Sequence, residues 1–299
     1  MKTFSILITT KDRIDDLKYT LQKIDYLINQ KNVACIICDD GSSDNTFDYL
    51  TKHYKNITII KNEESKGLVH CRNVMLNMCT TDYAISLDDD AHFVSEDILS
   101  VAENYFLQHP TCGLIATRIF WGKKLSTSTK STDSPKRVKG FVGCGHIWNM
   151  KAWKEIPNYP EWFVFYGEEE FASYQLLKKK WEIHYVPKIL VHHRVDVKSR
   201  KHQKDYITRQ RRSFRSGLYL YILFYPTKIA LKKIAYVLFQ QFKNKTLRGN
   251  FRATLAVVLA IFDVFVNLPK LLANRAVLTP AEYQNYTQIS NTKIYWNPK

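Results

Sequence analysis

Two groups of aspartates in the N-terminal half of the sequence have the residue types of a metal-dependent phosphate site. Asp39 and Asp40 form one group, and Asp88, Asp89 and Asp90 form the other. Adjacent carboxylates repel one another unless a cation neutralises them, and their hard oxygens suit Mg²⁺ or Mn²⁺, which in turn bridge phosphate oxygens. Either group alone could equally be a set of solvated turn residues or helix caps.

Both aspartate groups follow predicted strands. Four apolar runs are typical of buried strands, and helical segments separate them. The predicted strands are Phe4–Thr10, Val33–Cys38, Ile57–Ile60 and Tyr83–Leu87. Strands and helices that alternate at this spacing predict a parallel sheet with helices on both faces. Since ligands of such sheets bind at the carboxyl ends of the strands, we expect one crevice to gather both groups, and this favours a nucleotide-phosphate site over solvated turns.

The composition is that of a folded protein with a large core, because 45% of the residues are apolar and 24% are charged. Six cysteines are too few for a disulfide scaffold, and Cys35 and Cys38 have no second pair for a zinc ribbon, so we expect reduced thiols. We find no convincing targeting segment. The longest apolar run, Ala253–Leu268, contains Asp263 and is shorter than the about 20 residues that span a bilayer. We therefore expect a cytoplasmic protein.

The net charge of +16 lies entirely in the last third of the chain. Residues 1–193 carry 24 basic and 24 acidic residues, whereas residues 194–299 carry 20 basic and 4 acidic residues. This asymmetry predicts a first domain at residues 1–195 and a basic helical region at residues 196–299. The partner of a basic region is acidic, either a membrane surface or a nucleic acid.

The basic region contains an amphipathic helical pattern. Its apolar positions recur at helical spacing, and they are Leu231, Ile234, Ala235, Leu238, Phe239 and Phe242. Lysines occupy the other faces, and a group of arginines precedes the apolar run Leu218–Tyr225. A cationic amphipathic helix with aromatic residues is typical of a segment that lies in a membrane interface. The alternative is that these helices pack on one another or on the first domain as ordinary core.

The sequence resembles family 2 glycosyltransferases of the GT-A fold. Five segments carry the resemblance in the family's order and spacing, and they are Ser5–Arg13, Cys38–Thr46, Lys66–Asn73, Ile85–Asp90 and Tyr166–Phe171. It covers residues 3–195, and no Walker A or G-x-G-x-x-G segment competes with it. The resemblance implies a Rossmann-like, mostly parallel sheet flanked by helices. It divides the first domain into a nucleotide-sugar half, about 1–118, and an acceptor half, about 119–195.

The resemblance also assigns residues to the nucleotide-sugar donor. The residues that it implies for donor binding are Thr9, Thr10, Arg13, Asp39, Asp40, Lys66, Arg72, Asp88 and Asp89. Of these, Thr9 with Asp39 or Asp40 is implied at the base and ribose. The resemblance implies that Asp90 and Asp88 bind Mg²⁺ or Mn²⁺, with His193 as a further ligand. Arg72 could instead be an ordinary salt-bridging arginine, and Asp89 could be structural.

On the acceptor side the resemblance places the catalytic base at Glu169, beside Glu168. The chemistry needs a base, because an acceptor hydroxyl is a poor nucleophile until its proton is taken. This chain departs from the family pattern in having Glu rather than Asp, and in having Phe171 where a second acid often lies. The alternative is three glutamates on an exposed first helical turn. Weaker acceptor-side candidates, each with a structural alternative, are Gly145, His146, Trp162 and His192.

The resemblance implies an inverting, metal-dependent transfer of a sugar from a nucleotide sugar, with a UDP-sugar as the expected donor. The basic region extends this to a glycan or lipid-linked acceptor and a peripheral position at the inner face of the cell membrane, as in polysaccharide or glycoconjugate synthesis. Two alternatives stay open. One is a nucleic-acid-binding protein that uses the basic region, although we expect no nucleic-acid partner. The other is a non-catalytic sugar-binding relative.

Overall fold

The structure is a computed structural model that describes residues 2–196 and 205–297. Its strands and helices alternate through the first half of the chain. In order, the elements up to the last strand are β1 (Phe4–Thr10), α1 (Ile14–Ile28), β2 (Val33–Asp39), α2 (Thr46–His53), β3 (Thr58–Lys61), α3 (Leu68–Met78), β4 (Tyr83–Asp88), β5 (Ala91–Phe93), α4 (Ile98–Gln108), β6 (Cys112–Trp121), β7 (Lys136–Arg137), β8 (Gly145–Asn149), α5 (Met150–Lys154), α6 (Glu168–Lys178) and β9 (Glu182–His193). The helices that follow are α7 (Tyr206–Phe224), α8 (Thr227–Gln241), α9 (Phe251–Val266), α10 (Leu268–Ala273) and α11 (Pro280–Gln288).

The described strands form one sheet in the order β3-β2-β1-β4-β8-β6-β9-β5, with β7 paired to β9. The first four strands, β1 to β4, pair in parallel. Beyond them the sheet is mixed, because β8 runs antiparallel to β4 and β6, whereas β6 and β9 are parallel. The predicted α/β class, with a sheet flanked by helices and a helical C-terminal region, is confirmed.

Helices cover both faces of the sheet and bury its central strands. Leu21 of α1, Leu50 of α2 and Ile98 of α4 belong to the core cluster on one face. Met75 of α3 and Leu176 of α6 belong to the cluster on the other face. Strands buried on both faces need apolar side chains at every position, and this explains the continuous apolar runs in the sequence.

The two aspartate groups follow β2 and β4, which are both neighbours of β1. Thr10 lies opposite Asp39, and Thr9 lies opposite Asp88 in the strand register. The carboxyl ends of β2, β1 and β4 are therefore neighbours at one edge of the sheet, and a single crevice for both aspartate groups stays a prediction. All six cysteines are buried and free, as expected of reduced thiols.

The C-terminal helices pack against the acceptor half through a third core cluster. Phe163 and Phe171 from the acceptor half pack against Tyr219 and Phe224 of α7 in this cluster. The predicted boundary at residues 195/196 directly precedes residues 197–204, which lie outside the described residues. After α11 the chain returns to the sheet, where Ser290 forms a bridge with Val138.

Helices α8 to α10 and the residues that join α8 to α9 carry many large apolar side chains that are exposed in the described part of the chain. These side chains are Leu231, Tyr236, Phe239, Phe242, Leu247, Phe251, Leu255, Val258, Phe262, Phe265, Val266 and Leu272. Much of the predicted amphipathic stripe on α8 is therefore exposed, whereas α7 is packed as core. Among the described helices, none has the length and hydropathy to span a membrane.

Candidate active site

Three residues gather at the carboxyl ends of β4 and β9 as a candidate metal centre. Asp88, Asp90 and His193 each offer a ligand atom, and these atoms lie within 4.8 Å of one another. His193 Nε2 is 2.9 Å from Asp90 Oδ1 and 3.8 Å from Asp88 Oδ2. Two carboxylates and an imidazole are a donor set that suits Mn²⁺, and the carboxylates also suit Mg²⁺. The side chains therefore fit the cation that the sequence implied.

Arg13 supplies positive charge to this cluster. Its guanidinium is 2.6 Å from Asp90 Oδ2 and 2.9 Å from Asp89 Oδ1. Burial opposes ionisation of Asp90, but the hydrogen bond and charge of His193 and the charge of Arg13 lower its pKa. Asp90 is therefore an ionised carboxylate, as a metal ligand must be.

Asp89 is hydrogen-bonded within the protein and is not part of the candidate metal-ligand group. Its side chain accepts a 2.8 Å hydrogen bond from Thr10 Oγ1, and its carbonyl accepts a 2.6 Å hydrogen bond from Thr20. The carbonyl also accepts from Arg194. These contacts favour a structural role for Asp89. The hydroxyl of Thr10 takes part in the same hydrogen-bond network.

The residues predicted to bind the nucleotide fall into two groups. Some have side chains that are already hydrogen-bonded within the protein, and others have polar atoms without a partner among the described residues. Asp40 accepts four hydrogen bonds, from the side chains of Asn62 and Ser65 and from the backbone of residues 66 and 67. It therefore holds the loop before α3, and Lys66 meets it through the backbone while its side chain is exposed. By contrast, Asp39 Oδ2 and Thr9 Oγ1 are buried without a hydrogen-bond partner among the described residues. Thr9 and Asp39 are thus the pair with polar atoms available to a base or ribose.

Arg72 connects the candidate metal centre with the predicted base. It projects from α3, is buried, and donates to Asp88 Oδ1 at 2.9 Å. Its other nitrogen lies 3.5 Å from Glu168 Oε1 and 3.8 Å from Glu169 Oε1. Burial opposes the charge, but Asp88 and Glu169 raise the pKa of Arg72, so it is fully cationic. Arg72 therefore forms the ion pairs of the salt-bridge alternative, and its role in donor binding stays a prediction.

Glu168 and Glu169 begin α6 because Gly167 ends the preceding turn. Gly167 has φ 89°, a conformation that disfavours side chains, and a Cβ there would approach Ser216 and Phe163 closely. Glu168 is buried and Glu169 is half-buried, whereas Glu170 is exposed. The alternative of three glutamates on an exposed turn is therefore wrong for Glu168.

Burial dominates the electrostatics of the predicted base. Burial and the nearby charge of Glu168 raise the pKa of Glu169 well above its ordinary value of 4.5, although Arg72 opposes the shift. A raised pKa brings the proton affinity of a carboxylate closer to what a general base needs near neutral pH. The arrangement thus suits removal of a proton from a hydroxyl group.

A cavity of about 510 Å³ lies beside Glu169. Trp121 at the end of β6 and Tyr166 line it from the acceptor half. Tyr286 and Tyr295 line it from the C-terminal region. The C-terminal region therefore supplies part of the wall around the predicted base. Sequence reasoning missed this, because no local pattern links residues so distant in the chain.

Gly143 is a further residue of the site that the sequence analysis did not identify. A Cβ at this position would collide with Glu169 Oε1 and crowd the guanidinium of Arg72, and its carbonyl accepts a 3.0 Å hydrogen bond from Arg72. Glycine is needed here for the close approach of two charged groups. The signal in the sequence was the small-residue segment Gly143–Gly145.

The weaker acceptor-side residues do not gather around Glu169. His192 faces the opposite side of β9 from His193, lines a different cavity with His92, and has Nε2 2.6 Å from the Gly122 carbonyl. Trp162 packs against Tyr219, as the core alternative predicted.

Gly145 and His146 lie within the sheet on β8. Gly145 has no room for a Cβ because Val191 packs against it. His146 is fully buried beside Phe141, and burial together with the charge of Arg72 lowers its pKa well below 6.5, so it is neutral. These two residues are therefore part of the packed sheet beneath the site.

Comparison with known proteins identifies the family of the chain. Residues 5–174 match the family model described as glycosyl transferase family 2. The chain is 34% identical over 101 residues to the UDP-Glc:alpha-D-GlcNAc-diphosphoundecaprenol beta-1,3-glucosyltransferase WfaP of Escherichia coli, which covers 33% of this chain and 39% of that protein. It is 29% identical over 93 residues to the chondroitin synthase of Escherichia coli, covering 30% of this chain and 13% of that protein. The match therefore spans well under half the length of either relative.

Two solved structures are similar in fold. GalNAc-T7 with UDP, GalNAc and Mn²⁺ has a TM-score of 0.56 at 15% identity, covering 72% of this chain and 47% of that chain. The mannosyltransferase PcManGT from Pyrobaculum calidifontis, in complex with GDP-Man and Mn²⁺, has a TM-score of 0.54 at 13% identity. The match covers 96% of this chain and 79% of that chain. At these identities the likeness establishes the GT-A fold alone. With the family model matching more than half of its residues, the chain belongs to glycosyl transferase family 2.

Proposed function

We propose that the protein is an inverting glycosyltransferase that moves a sugar from a nucleotide sugar, with a UDP-sugar as the expected donor, to a hydroxyl of a glycan or lipid-linked acceptor. The observation that carries this proposal is the buried network in which Arg72 joins Asp88 of the candidate metal centre to Glu169. Metal-ligand and proton-acceptor chemistry are thereby held beside one another at the carboxyl end of β4. Family membership supports the same reaction class.

In the proposed reaction Glu169 accepts the proton of the acceptor hydroxyl as its oxygen attacks the anomeric carbon. The bond from that carbon to the diphosphate oxygen breaks, and its electron pair leaves with the nucleoside diphosphate, so direct displacement inverts the anomeric centre. Arg72 orients the Glu169 carboxylate, and Gly143 leaves it room. Asp88, Asp90 and His193 would hold Mg²⁺ or Mn²⁺, which supplies charge to stabilise the departing diphosphate. Thr9 and Asp39 are proposed to contact the base and ribose.

The exposed face of α8 to α10 supports a peripheral position at the cytoplasmic face of the membrane. Aromatic and aliphatic side chains such as Phe251 and Phe262 are 81% and 62% exposed. Lysines and arginines of the same helices lie close to them in the chain, and each can add about 1 kcal/mol near an anionic leaflet. The relative WfaP acts, by its name, on a diphosphoundecaprenol-linked sugar. A lipid-linked acceptor in polysaccharide or glycoconjugate synthesis would be presented at such a surface.

The two alternatives have less support. A nucleic-acid interface contacts phosphates with polar and cationic side chains, whereas the large residues of this face are apolar. The non-catalytic alternative rested on Phe171, but that side chain is packed in the third core cluster and leaves the Glu169 position intact. No nucleic-acid partner is therefore proposed.

Donor hydrolysis with a panel of UDP-, GDP- and dTDP-sugars, with Mn²⁺ or Mg²⁺ added, tests the function directly. We expect metal-dependent release of one nucleoside diphosphate, and we expect Asp90→Asn to weaken the metal-dependent nucleotide binding seen by calorimetry. Gln22→Ala, a substitution of an exposed residue on α1, serves as the control. Absence of both nucleotide binding and turnover across the panel would remove the enzyme proposal.

A further inference from the structure

The last described residues form a segment, 289–296, that is hydrogen-bonded back onto the catalytic sheet. Near its start, the Lys139 backbone N–H donates to the Ser290 carbonyl at 2.9 Å. Near its end, the Trp296 backbone N–H donates to the Ile119 carbonyl at 2.9 Å. Trp296 itself is buried. The segment is therefore part of the folded acceptor half, although it is far from it in sequence.

Side-chain contacts hold the same segment in one position. Lys293 Nζ lies 2.8 Å from Asp133 Oδ2 and contacts both carboxylate oxygens. The guanidinium of Arg118 stacks on the Trp296 ring at 4.3 Å. Anchors on both sides of residues 294 and 295 fix the backbone between them. The side chain of Tyr295 is thereby presented from a rigid support.

Tyr295 extends a row of rings that starts at the candidate metal centre. The ring of Trp121 lies 4.4 Å from His193, and the ring of Tyr295 lies 5.2 Å from Trp121. The indole N–H of Trp121 donates to the Ile294 carbonyl at 3.0 Å, so the segment also orients this ring. Both aromatic residues line the cavity that contains Glu169.

The cavity has the character of a site for a sugar ring. Ligand sites combine aromatic walls with a few polar groups that fix orientation, and here the walls are Trp121 and Tyr295 while Glu169 is the polar group. The C–H faces of a pyranose pack on aromatic rings, while its hydroxyls reach the polar group. Tyr295 remains 51% exposed, which leaves ring surface for such a contact. The cavity includes neither Thr9 nor Asp39, so its occupant is the acceptor rather than the nucleotide.

We propose that Tyr295, with Trp121, forms the platform on which the sugar ring of the acceptor packs, so that segment 289–296 determines acceptor specificity. This inference rests on the proposed function. It assigns the acceptor to the class of glycosides whose reacting hydroxyl belongs to a pyranose ring. It also gives the C-terminal region a role in the active site besides any role at a membrane.

Binding of soluble methyl glycosides of glucose, galactose and N-acetylglucosamine to the full chain tests the platform by saturation-transfer NMR. These probes lack an aliphatic tail that the apolar helices could bind. We expect Tyr295→Ala to weaken binding of the preferred glycoside about tenfold, and Tyr295→Phe to retain it, because the ring rather than the hydroxyl makes the contact. Tyr26→Ala, at a residue of similar exposure on α1, is the matched control.

The outcomes separate this inference from the function on which it rests. Equal glycoside binding by wild type and Tyr295→Ala, or no binding by wild type, overturns the platform. A loss of glycoside binding in Tyr26→Ala equal to that in Tyr295→Ala would also overturn it, since the effect would then not belong to the Tyr295 ring. Glycoside binding that depends on the Tyr295 ring, without donor hydrolysis in any variant, counts against the proposed function alone.

Discussion

Arg72 donates a 2.9 Å hydrogen bond to Asp88, and this contact links the two halves of the candidate active site. The other side of the guanidinium faces the glutamates that begin α6, with Glu169 Oε1 at 3.8 Å. Because Arg72 is buried, its charge is compensated by these carboxylates rather than by water. A single side chain thus holds a candidate metal ligand and the candidate base in a fixed relation.

Replacement of Arg72 should destabilise the fold, since it leaves buried carboxylates without a partner. We expect Arg72→Ala to lower the free energy of unfolding by about 3–5 kcal/mol, as for other broken buried ion pairs. Chemical denaturation measures this. Arg209→Ala is the control, because its ion pair with Asp205 is partly exposed and spans one helical turn, and such pairs contribute about 0.3–0.5 kcal/mol. Equal stability losses in the two variants would show that the Arg72 network is not buried as described.

Glu169→Gln should abolish transfer while leaving the nucleotide side intact. The amide keeps the shape of the side chain but cannot accept the hydroxyl proton, so we expect turnover to fall about 10²- to 10⁴-fold. Nucleotide binding, measured by calorimetry with Mn²⁺, should stay close to that of wild type. Glu170→Gln is the matched control on the same helical turn, since that side chain is exposed and makes no contact with Arg72 in the described ion pairs. Full activity of Glu169→Gln would remove Glu169 from the base position.

The pH dependence of transfer should report the environment of Glu169. A base acts in its ionised form, so activity falls as the pH drops through its pKa. Because burial and Glu168 raise that pKa above 4.5, the acidic limb of kcat/KM should lie at a higher pH than for an exposed glutamate. A pH profile of acceptor-dependent transfer measures this. A rate that stays constant down to about pH 4.5 would contradict the assignment.

The candidate metal centre could be predicted because strand ends gather in space. Asp88 and Asp90 follow an apolar strand, and parallel strands carry their ligands at the carboxyl ends. The choice between His192 and His193 was harder, since successive residues of a strand face opposite sides, and only the packing of β9 shows which side holds the site. The structure places His193 beside Asp90, and its role as a metal ligand stays a prediction.

Other features depend on tertiary packing that no local pattern encodes. Asp40 resembles a donor ligand in sequence, but its carboxylate is used to hold the loop before α3. The sequence predicts a boundary before the basic region, whereas Tyr295 of that region lies beside Trp121 of the first domain. Charge and amphipathic spacing describe the surface of such a region, and they carry no information about which distant residues it will meet.

Gly143→Ala should impair catalysis more than stability. A new Cβ would displace the Glu169 carboxylate and crowd Arg72, and a misplacement of about 1 Å in a reacting group can cost about 10²-fold in rate. We expect a kcat loss of that order with a small change in unfolding free energy, because side-chain ends can shift. The matched control is Gly217→Ala in α7, where a Cβ meets nothing within 4 Å. Wild-type kcat in Gly143→Ala would show that Glu169 has more freedom than its contacts indicate.

The exposed face of α8 to α10 should bind anionic membranes through its aromatic side chains. Burying a phenylalanine side chain contributes about 1.5–3 kcal/mol, so replacing Phe251 and Phe262 with Asp should reduce partitioning into vesicles by more than tenfold for each residue. Flotation with phosphatidylglycerol vesicles measures the bound fraction. Binding should fall with added salt or with neutral phosphatidylcholine vesicles, because the lysines of these helices contribute electrostatically.

The control for that experiment is Leu107→Asp, an exposed apolar residue on α4 that lies outside the apolar surface of α8 to α10. It should bind vesicles as wild type does, since loss of an apolar side chain matters only where the membrane touches the protein. If Phe251→Asp and Phe262→Asp together leave flotation unchanged, the membrane does not contact this face. Donor hydrolysis by the double variant should be retained, because both residues lie on α9 and neither lines the cavity beside Glu169.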